Sequence, residues 1–226
     1  MHRLATALSL ALSVALNFSP VRAEEPNLSA NPANTFGAAS RLATAQRAYL
    51  HALENGEVLA LVVAIRLARS VTLRPANAWE RADPDPMNPQ LPADFPDPAS
   101  DVALAIARNL AADDPLLQDL VYDLDAQLPR ARLETAVTTS GNLAPGQSAT
   151  WRIALFGEVG TELALISDGR SKLSLTLTDD ADNILCAVPP SSRPALCRLT
   201  PARNGFFALR LKNDGQAAAD YRLFGN

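Results

Sequence analysis

The spacing of apolar residues changes character part-way along the chain. Up to about residue 130 they recur at helical intervals; from Leu133 to Phe224 they alternate with polar residues in about eight short runs. Leu173, Leu175 and Leu177 interleave with Ser174, Thr176 and Thr178, and Trp151, Ile153 and Leu155 interleave with Thr150, Arg152 and Ala154. Leu163 with Leu165, then Phe207, Leu209 and Leu211, then Tyr221 with Leu223 continue the pattern. Each run predicts a strand with one dry face and one wet face. Pro145-Gly146, Asp168-Gly169, Asn204-Gly205 and Asp214-Gly215 stand where the chain must turn. Short strands at this spacing predict an antiparallel sandwich or barrel over residues 131–226.

The helical region covers residues 35–130. Leu42, Ala45, Tyr49, Leu50 and Leu53 follow a helical period from Phe36 onward, and Asn55-Gly56 supplies a left-handed stop. Glu57 opens a second helix to about Val71, with Leu59, Val62, Val63 and Leu67 favouring one face. Ser100 or Asp101 caps a third helix to Ala112, and Asp113-Asp114-Pro115 starts a fourth, which carries Leu116, Leu117, Leu120, Val121, Leu124 and Leu128 before Pro129. Two hairpins of this kind suit either a helical repeat, similar in style to tetratricopeptide pairs, or an ordinary four-helix cluster. Between the pairs, residues 75–98 hold seven prolines, which forbid helix and disfavour a central strand. The stretch reads as an extended surface loop or as a recognition segment anchored by Trp79, Met87 and Phe95.

Residues 1–23 have the form of a secretory signal peptide. Arg3 precedes an apolar stretch from Leu4 to Leu16, and Val21-Arg22-Ala23 offers a cleavage site before Glu24. The apolar stretch is too short for a stable membrane span, which needs about 20 residues. The expected location is therefore periplasmic or secreted, with no membrane span after cleavage. Residues 24–34 are polar, contain Pro26 and Pro32, and read as a flexible leader. Removing residues 1–23 takes away Arg3 and Arg22 and no acid, so 18 basic residues face 24 acidic ones, a net −6. That balance argues against a nucleic-acid partner. Cys186 and Cys197, the two cysteines of the chain, read as a disulfide in an oxidising compartment, closing a loop worth about 2.5–3 kcal/mol.

A family resemblance rests on the order of several segments. Leu143-Ala144-Pro145-Gly146-Gln147 precedes the Trp151 run, Leu173 to Thr178 lead into Asp179, and Asn204-Gly205 to Leu211 lead into Asn213-Asp214-Gly215 before Tyr221-Arg222-Leu223. Residues 132–226 thus resemble the bacterial pre-peptidase C-terminal domain. The resemblance implies a secreted β-sandwich of jelly-roll type, found beside exported hydrolases and in proteins with no enzyme attached. Ser174 stands where members of that family often carry an aspartate between two leucines, so a ligand role resting on that acid does not carry over.

Candidate chemistry is sparse. Asp179, Asp180, Asp182 and Asn183 offer oxygens from one tight turn, either a solvated β-turn or a calcium site; EF-hand spacing fails, with Leu185 and Ser191 at the sixth and twelfth positions counted from Asp180. His51 is the one histidine left after residue 23, and it lies mid-helix. The chain has no G-x-S-x-G, H-E-x-x-H or phosphate-binding glycine loop. Arg66, Arg69 and Arg74 form a small basic patch or a solvated helix end. The expectation is an α+β protein, helical hairpins followed by a jelly-roll-like sandwich, serving as a non-catalytic module that binds a protein or glycan of the cell envelope without a cofactor. The alternative is a hydrolase using carboxylates where helices meet sandwich; a deep cleft there favours the enzyme, a packed junction the binding module.

Overall fold

The computed structural model describes residues 24–32, 37–82, 91–92, 94–126 and 134–226. Residues 1–23, expected from the sequence to be a signal peptide, and Phe36, Pro84, Pro86, Met87, Pro89, Leu128, Pro129 and Leu133, lie outside the described residues. The helices are α1 (Ala38–Asn55), α2 (Val58–Arg69), α3 (Asp101–Leu110) and α4 (Pro115–Ala126). The strands are β1 (Val71–Pro75), β2 (Glu80–Arg81), β3 (Glu134–Leu143), β4 (Ser148–Leu155), β5 (Thr161–Ser167), β6 (Leu173–Thr178), β7 (Ile184–Ser191), β8 (Ala195–Leu199), β9 (Gly205–Asn213) and β10 (Ala219–Gly225). Among the described residues the fold is thus α+β, as expected.

The strands form two five-stranded sheets. Sheet A has the order β1-β3-β10-β5-β8 and sheet B the order β2-β4-β9-β6-β7. Counting β3 to β10 as one to eight, the orders are 1-8-3-6 and 2-7-4-5, the connectivity of a jelly roll. The alternating residues read from the sequence meet between the sheets: Trp151, Ile153, Leu175, Leu177, Phe207, Leu209 and Leu211 of sheet B pack with Leu143, Leu163, Leu165, Tyr221 and Leu223 of sheet A. Cys186 of β7 and Cys197 of β8 are bonded, with Cα atoms 6.0 Å apart, and tie the two sheets together along one margin.

The helical half feeds one strand into each sheet. β1 pairs parallel to β3 and β2 pairs antiparallel to β4. Both are edges, the position that Pro75 permits because proline cannot donate to a ladder. Helix α2 accordingly stops at Arg69 rather than continuing to Val71. Trp79, between the two edge strands, packs against the sandwich core, and Phe95 is buried against α1 and sheet A. These two members of the expected anchoring trio hold the proline-rich stretch to its own protein.

Gly56 takes φ 67°, the left-handed stop expected after α1. The Ser100 side chain accepts a hydrogen bond from the Ala103 N–H and caps α3. On α2 the buried face is Val58, Leu61, Ala64, Ile65 and Ala68, while Leu59 and Val63 are exposed. The helix is apolar nearly all round, so the sequence periodicity selects the wrong side. The four helices share one core, built on Tyr49, Leu61, Ile65, Leu104, Val121 and Leu124.

Helix α1 also lies on sheet A. Its Ala38, Ala39, Leu42 and Ala43 pack on Ala136, Ala164, Ile166 and Phe224; the small side chains let helix and sheet approach closely. β5 is consequently buried along its whole length, although the sequence predicts one wet face for it. The N-terminus of α1 is closed from outside the helix. The N-cap, Gly37, has no side chain, and Glu162 of β5 takes its place by accepting hydrogen bonds from the Ser40 N–H (2.9 Å) and the Ser40 hydroxyl (2.5 Å). A Cβ at Gly37 would meet Glu162 Oε2 at 2.9 Å, so the close approach favours glycine. Arg198 of β8 donates to Ser40 Oγ at 2.9 Å and lies 3.4 Å from Glu162. Glu162→Ala is expected to lower unfolding free energy in urea by about 2 kcal/mol, the loss of a cap and a charge-assisted hydrogen bond, and Glu162→Gln by less.

Candidate functional site

The two sheets differ in what covers their outer faces. That of sheet A lies under α1. That of sheet B carries exposed and half-exposed side chains on four adjacent strands. The register places them in rows. At one end Ala154 of β4 pairs with Phe206 of β9. The next row runs Glu80, Arg152, Ala208, Thr178, Ile184 across β2, β4, β9, β6 and β7. Then come Thr150, Arg210, Thr176 and Ala187, and finally Ser148, Lys212 and Ser174. Along β9 the distance from Phe206 to Lys212 is about 20 Å at ordinary strand rise.

The chemistry is graded along this face. Phe206 is 50% exposed, and the Arg152 guanidinium sits 3.4 Å from its ring centroid. Arg152 also donates to Glu80 at 3.1 Å. At the opposite end Lys212 and Ser174 both donate to Asp214. The Lys212 hydrogen bond, then that of Ser174, holds the Asp214 carboxyl below its ordinary value of 3.8, against a smaller opposing effect of desolvation. Between the two ion pairs, Arg210 donates to the Ser148 hydroxyl at 3.3 Å and has Thr150 and Thr176 on either side. Small side chains and hydroxyls form most of the floor, with the Phe206 ring and the exposed Ile184 side chain at its rim.

The acidic turn has a different organisation. Asp179 is 4% exposed, and its two oxygens accept from the N–H groups of Asn27, Ala181 and Asn183 and from the Asn183 side-chain amide. Burial alone would raise its pKa; the hydrogen bonds outweigh it and hold the group below 3.8. Asp180 is exposed and Asp182 takes φ 60°. Asn27 in turn exchanges hydrogen bonds with the Arg203 backbone, and Ser29 reaches Thr200 and Glu158. Residues 24–32, polar and proline-containing in sequence, are thereby laid across three loops at one end of the sandwich. Asn213 does similar work at the other end, donating to Leu143 O and Ala217 O and accepting from Ser171 and Gly215. The Asn213-Asp214-Gly215 segment that carries part of the family resemblance is joinery.

The remaining candidates are dispersed. His51 is exposed at the end of α1, beside Asn55 and 3.8 Å from Glu57. Arg69 donates to Asp101 and to the carbonyls of Ala99 and Ser100, joining α2 to α3; Arg66 and Arg74 are exposed. Cavities among the described residues at the junction of helices and sandwich include one of about 70 Å³, lined by Gly37, Glu162, Arg198 and Asn226, and one of about 20 Å³, beside Phe95, Arg222 and Phe224. Junction carboxylates are engaged: Glu162 as above, Asp97 with Arg222 at 2.8 Å, and Glu134 with Arg41 at 3.0 Å. No described helix is long and apolar enough to cross a membrane.

No protein-family model matches the chain, and no curated protein matches it. Among solved structures it is similar to the pre-peptidase C-terminal domain of a collagenase from Bacillus anthracis, with 14% identity, a TM-score of 0.34, and coverage of 39% of this chain and 87% of that one. It is similar to a family 16 carbohydrate-binding module, with 14% identity, a TM-score of 0.27, and coverage of 38% and 72%. It is also similar to the Yersinia pseudotuberculosis-derived mitogen, with 13% identity, a TM-score of 0.29, and coverage of 40% and 84%.

The sequence reading missed the residues of the open face, Phe206 and Arg210 above all. They were visible only as polar or unpaired positions between buried ones. Asp179 and Asp214 share one consequence. Their folded pKa values are depressed, so the stability they contribute is present above about pH 4 and is lost as pH falls through the folded values. Asp179→Ala, which strands several N–H donors, is expected to cost about 3 kcal/mol at neutral pH and to flatten the acid limb of thermal melts taken from pH 5 to pH 2. Added calcium is expected to leave the wild-type midpoint unchanged, because a cation would have to displace those donors.

Proposed function

We propose that this is an exported, non-catalytic module that binds an extended glycan across the open face of sheet B. The observation that carries the reading is the asymmetry of the sandwich. One outer face is sealed by a helix; the other presents hydroxyls, cations and a half-exposed aromatic ring on a rigid ladder. Serine and threonine hydroxyls both donate and accept, as sugar hydroxyls do, and an aromatic ring offers an apolar surface to a pyranose. The backbone groups of the central strands are spent on one another, so recognition on this face falls to side chains. That suits a saccharide better than an extended peptide, which gains affinity by pairing with an exposed strand edge.

The junction supports binding over hydrolysis. Among the described residues the two cavities named there fall well below the roughly 300–1,000 Å³ of ordinary ligand pockets, and Glu162, Asp97 and Glu134 serve as ties to Ser40, Arg222 and Arg41. The disulfide between the sheets fits an oxidising compartment, in keeping with a signal peptide at residues 1–23 and a periplasmic or secreted location. The pre-peptidase C-terminal resemblance of residues 132–226 belongs to the same reading, of an accessory module in the cell envelope.

Affinity electrophoresis of the purified exported protein through gels containing neutral and acidic polysaccharides tests this. Retardation by at least one polymer is expected, weakened about five- to tenfold by Phe206→Ala if ring stacking contributes an ordinary increment, with an unchanged thermal midpoint. Uniform mobility in every polymer would overturn the glycan reading.

A further inference from the structure

We infer that the ligand of the open face is an acidic polysaccharide, its carboxylate taken by Arg210; this rests on the glycan reading above and names the ligand class. The charge pattern carries the inference. Three cations project from the face, Arg152, Arg210 and Lys212. The outer two have acids of their own: Arg152 pairs with Glu80 at 3.1 Å, and Lys212 with Asp214. Arg210, the middle one, is hydrogen-bonded to a neutral hydroxyl, Ser148. Its guanidinium therefore keeps donors and charge for an incoming anion. The planar fork of an arginine matches a carboxylate with two parallel hydrogen bonds.

Position strengthens the case. Arg210 is on β9, which is paired on both sides, to β4 through Thr150 and to β6 through Thr176. The backbone beneath the cation is thus held in the interior of a sheet, and Thr176 beside it can engage a hydroxyl next to a sugar carboxylate. The Glu80 and Asp214 pairs bracket the site at about 7 Å of strand on either side, which spaces the free positive charge from the next. Without residues 1–23 the chain carries 18 basic and 24 acidic residues, a net −6, so a polyanion is repelled by the protein as a whole and attracted at this position. A neutral glycan would use the donors of this guanidinium; a uronate uses its charge as well.

The test compares one backbone in two charge states. Affinity electrophoresis with polygalacturonate, with alginate, and with fully methyl-esterified polygalacturonate separates carboxylate recognition from sugar recognition. Wild type is expected to be retarded by at least one of the two acidic polymers and at least tenfold less by the ester. Arg210→Ala is expected to lose at least tenfold on the acidic polymer, Arg210→Lys to recover part of it, and added salt to weaken binding. Circular dichroism of each variant confirms the fold. Equal retardation by acid and ester, or an Arg210→Ala variant that binds the acid as wild type does, would overturn the acidic inference and leave the glycan reading standing. Failure to bind both acidic polymers while a neutral one binds would do the same; failure with every polysaccharide would sink the glycan reading itself.

Discussion

The carboxylate of Glu162 closes the N-terminus of a helix 122 residues away in sequence, and this bond fixes the start of α1 on sheet A. A helix start leaves N–H groups without partners and carries a partial positive charge. The glycine N-cap of α1 cannot answer either need locally. β5 answers both, and in doing so lays α1 along sheet A, where Ala39, Leu42 and Ala43 cover Ala164 and Ile166. The carboxylate is nearly buried, a costly place for a charge unless donors surround it. Ser40 and Arg198 are those donors, and removing any one leaves the others badly placed.

Sealing sheet A decides where the molecule meets its surroundings. A sandwich has two outer faces, and one is consumed in holding the helical half. The loops at the ends are consumed as well: Asn27 and Asp179 lock one end, Asn213 the other, and the margin between β7 and β8 is bonded through sulfur. The edges nearest the helical half are occupied by β1 and β2. What remains with polar chemistry on a rigid base is the outer face of sheet B. The same tie that stabilises the fold thereby leaves one sheet face open.

Much of this was legible in the residues. Leu173, Leu175 and Leu177 at a period of two read as a half-buried strand, Gly56 as a helix stop, and the two cysteines as a disulfide. Each is a local pattern with a local physical cause. The unread parts have causes that are not local. β1 and β2 hide among prolines because an edge strand tolerates them where a central one does not. The buried side of α2 is ambiguous because Leu59, Leu61, Val63 and Ile65 point all round the helix, and only the packing partners choose between them. The role of Glu162 was invisible because its partner is far away in sequence. The open face was half legible. Alternation marked Ser174, Thr176, Arg210 and Lys212 as outward, and would equally have marked Ala164 and Ile166, which α1 covers.

Arg210 illustrates why position within a sheet matters more than residue type for such a face. An arginine on a loop spends conformational entropy to bind an anion, and its backbone moves with it. On β9 the backbone is fixed by ladders on both sides, and the side chain is steered by Ser148. The neighbouring cations could not serve equally. Arg152 is held against Phe206 and Glu80, where it orients the ring, and Lys212 is neutralised by Asp214, which is held ionised by the same contact. Among the described residues, two cations with acidic partners flank one whose partner is a neutral hydroxyl, and a strand paired on both sides fixes the place of that charge on the face.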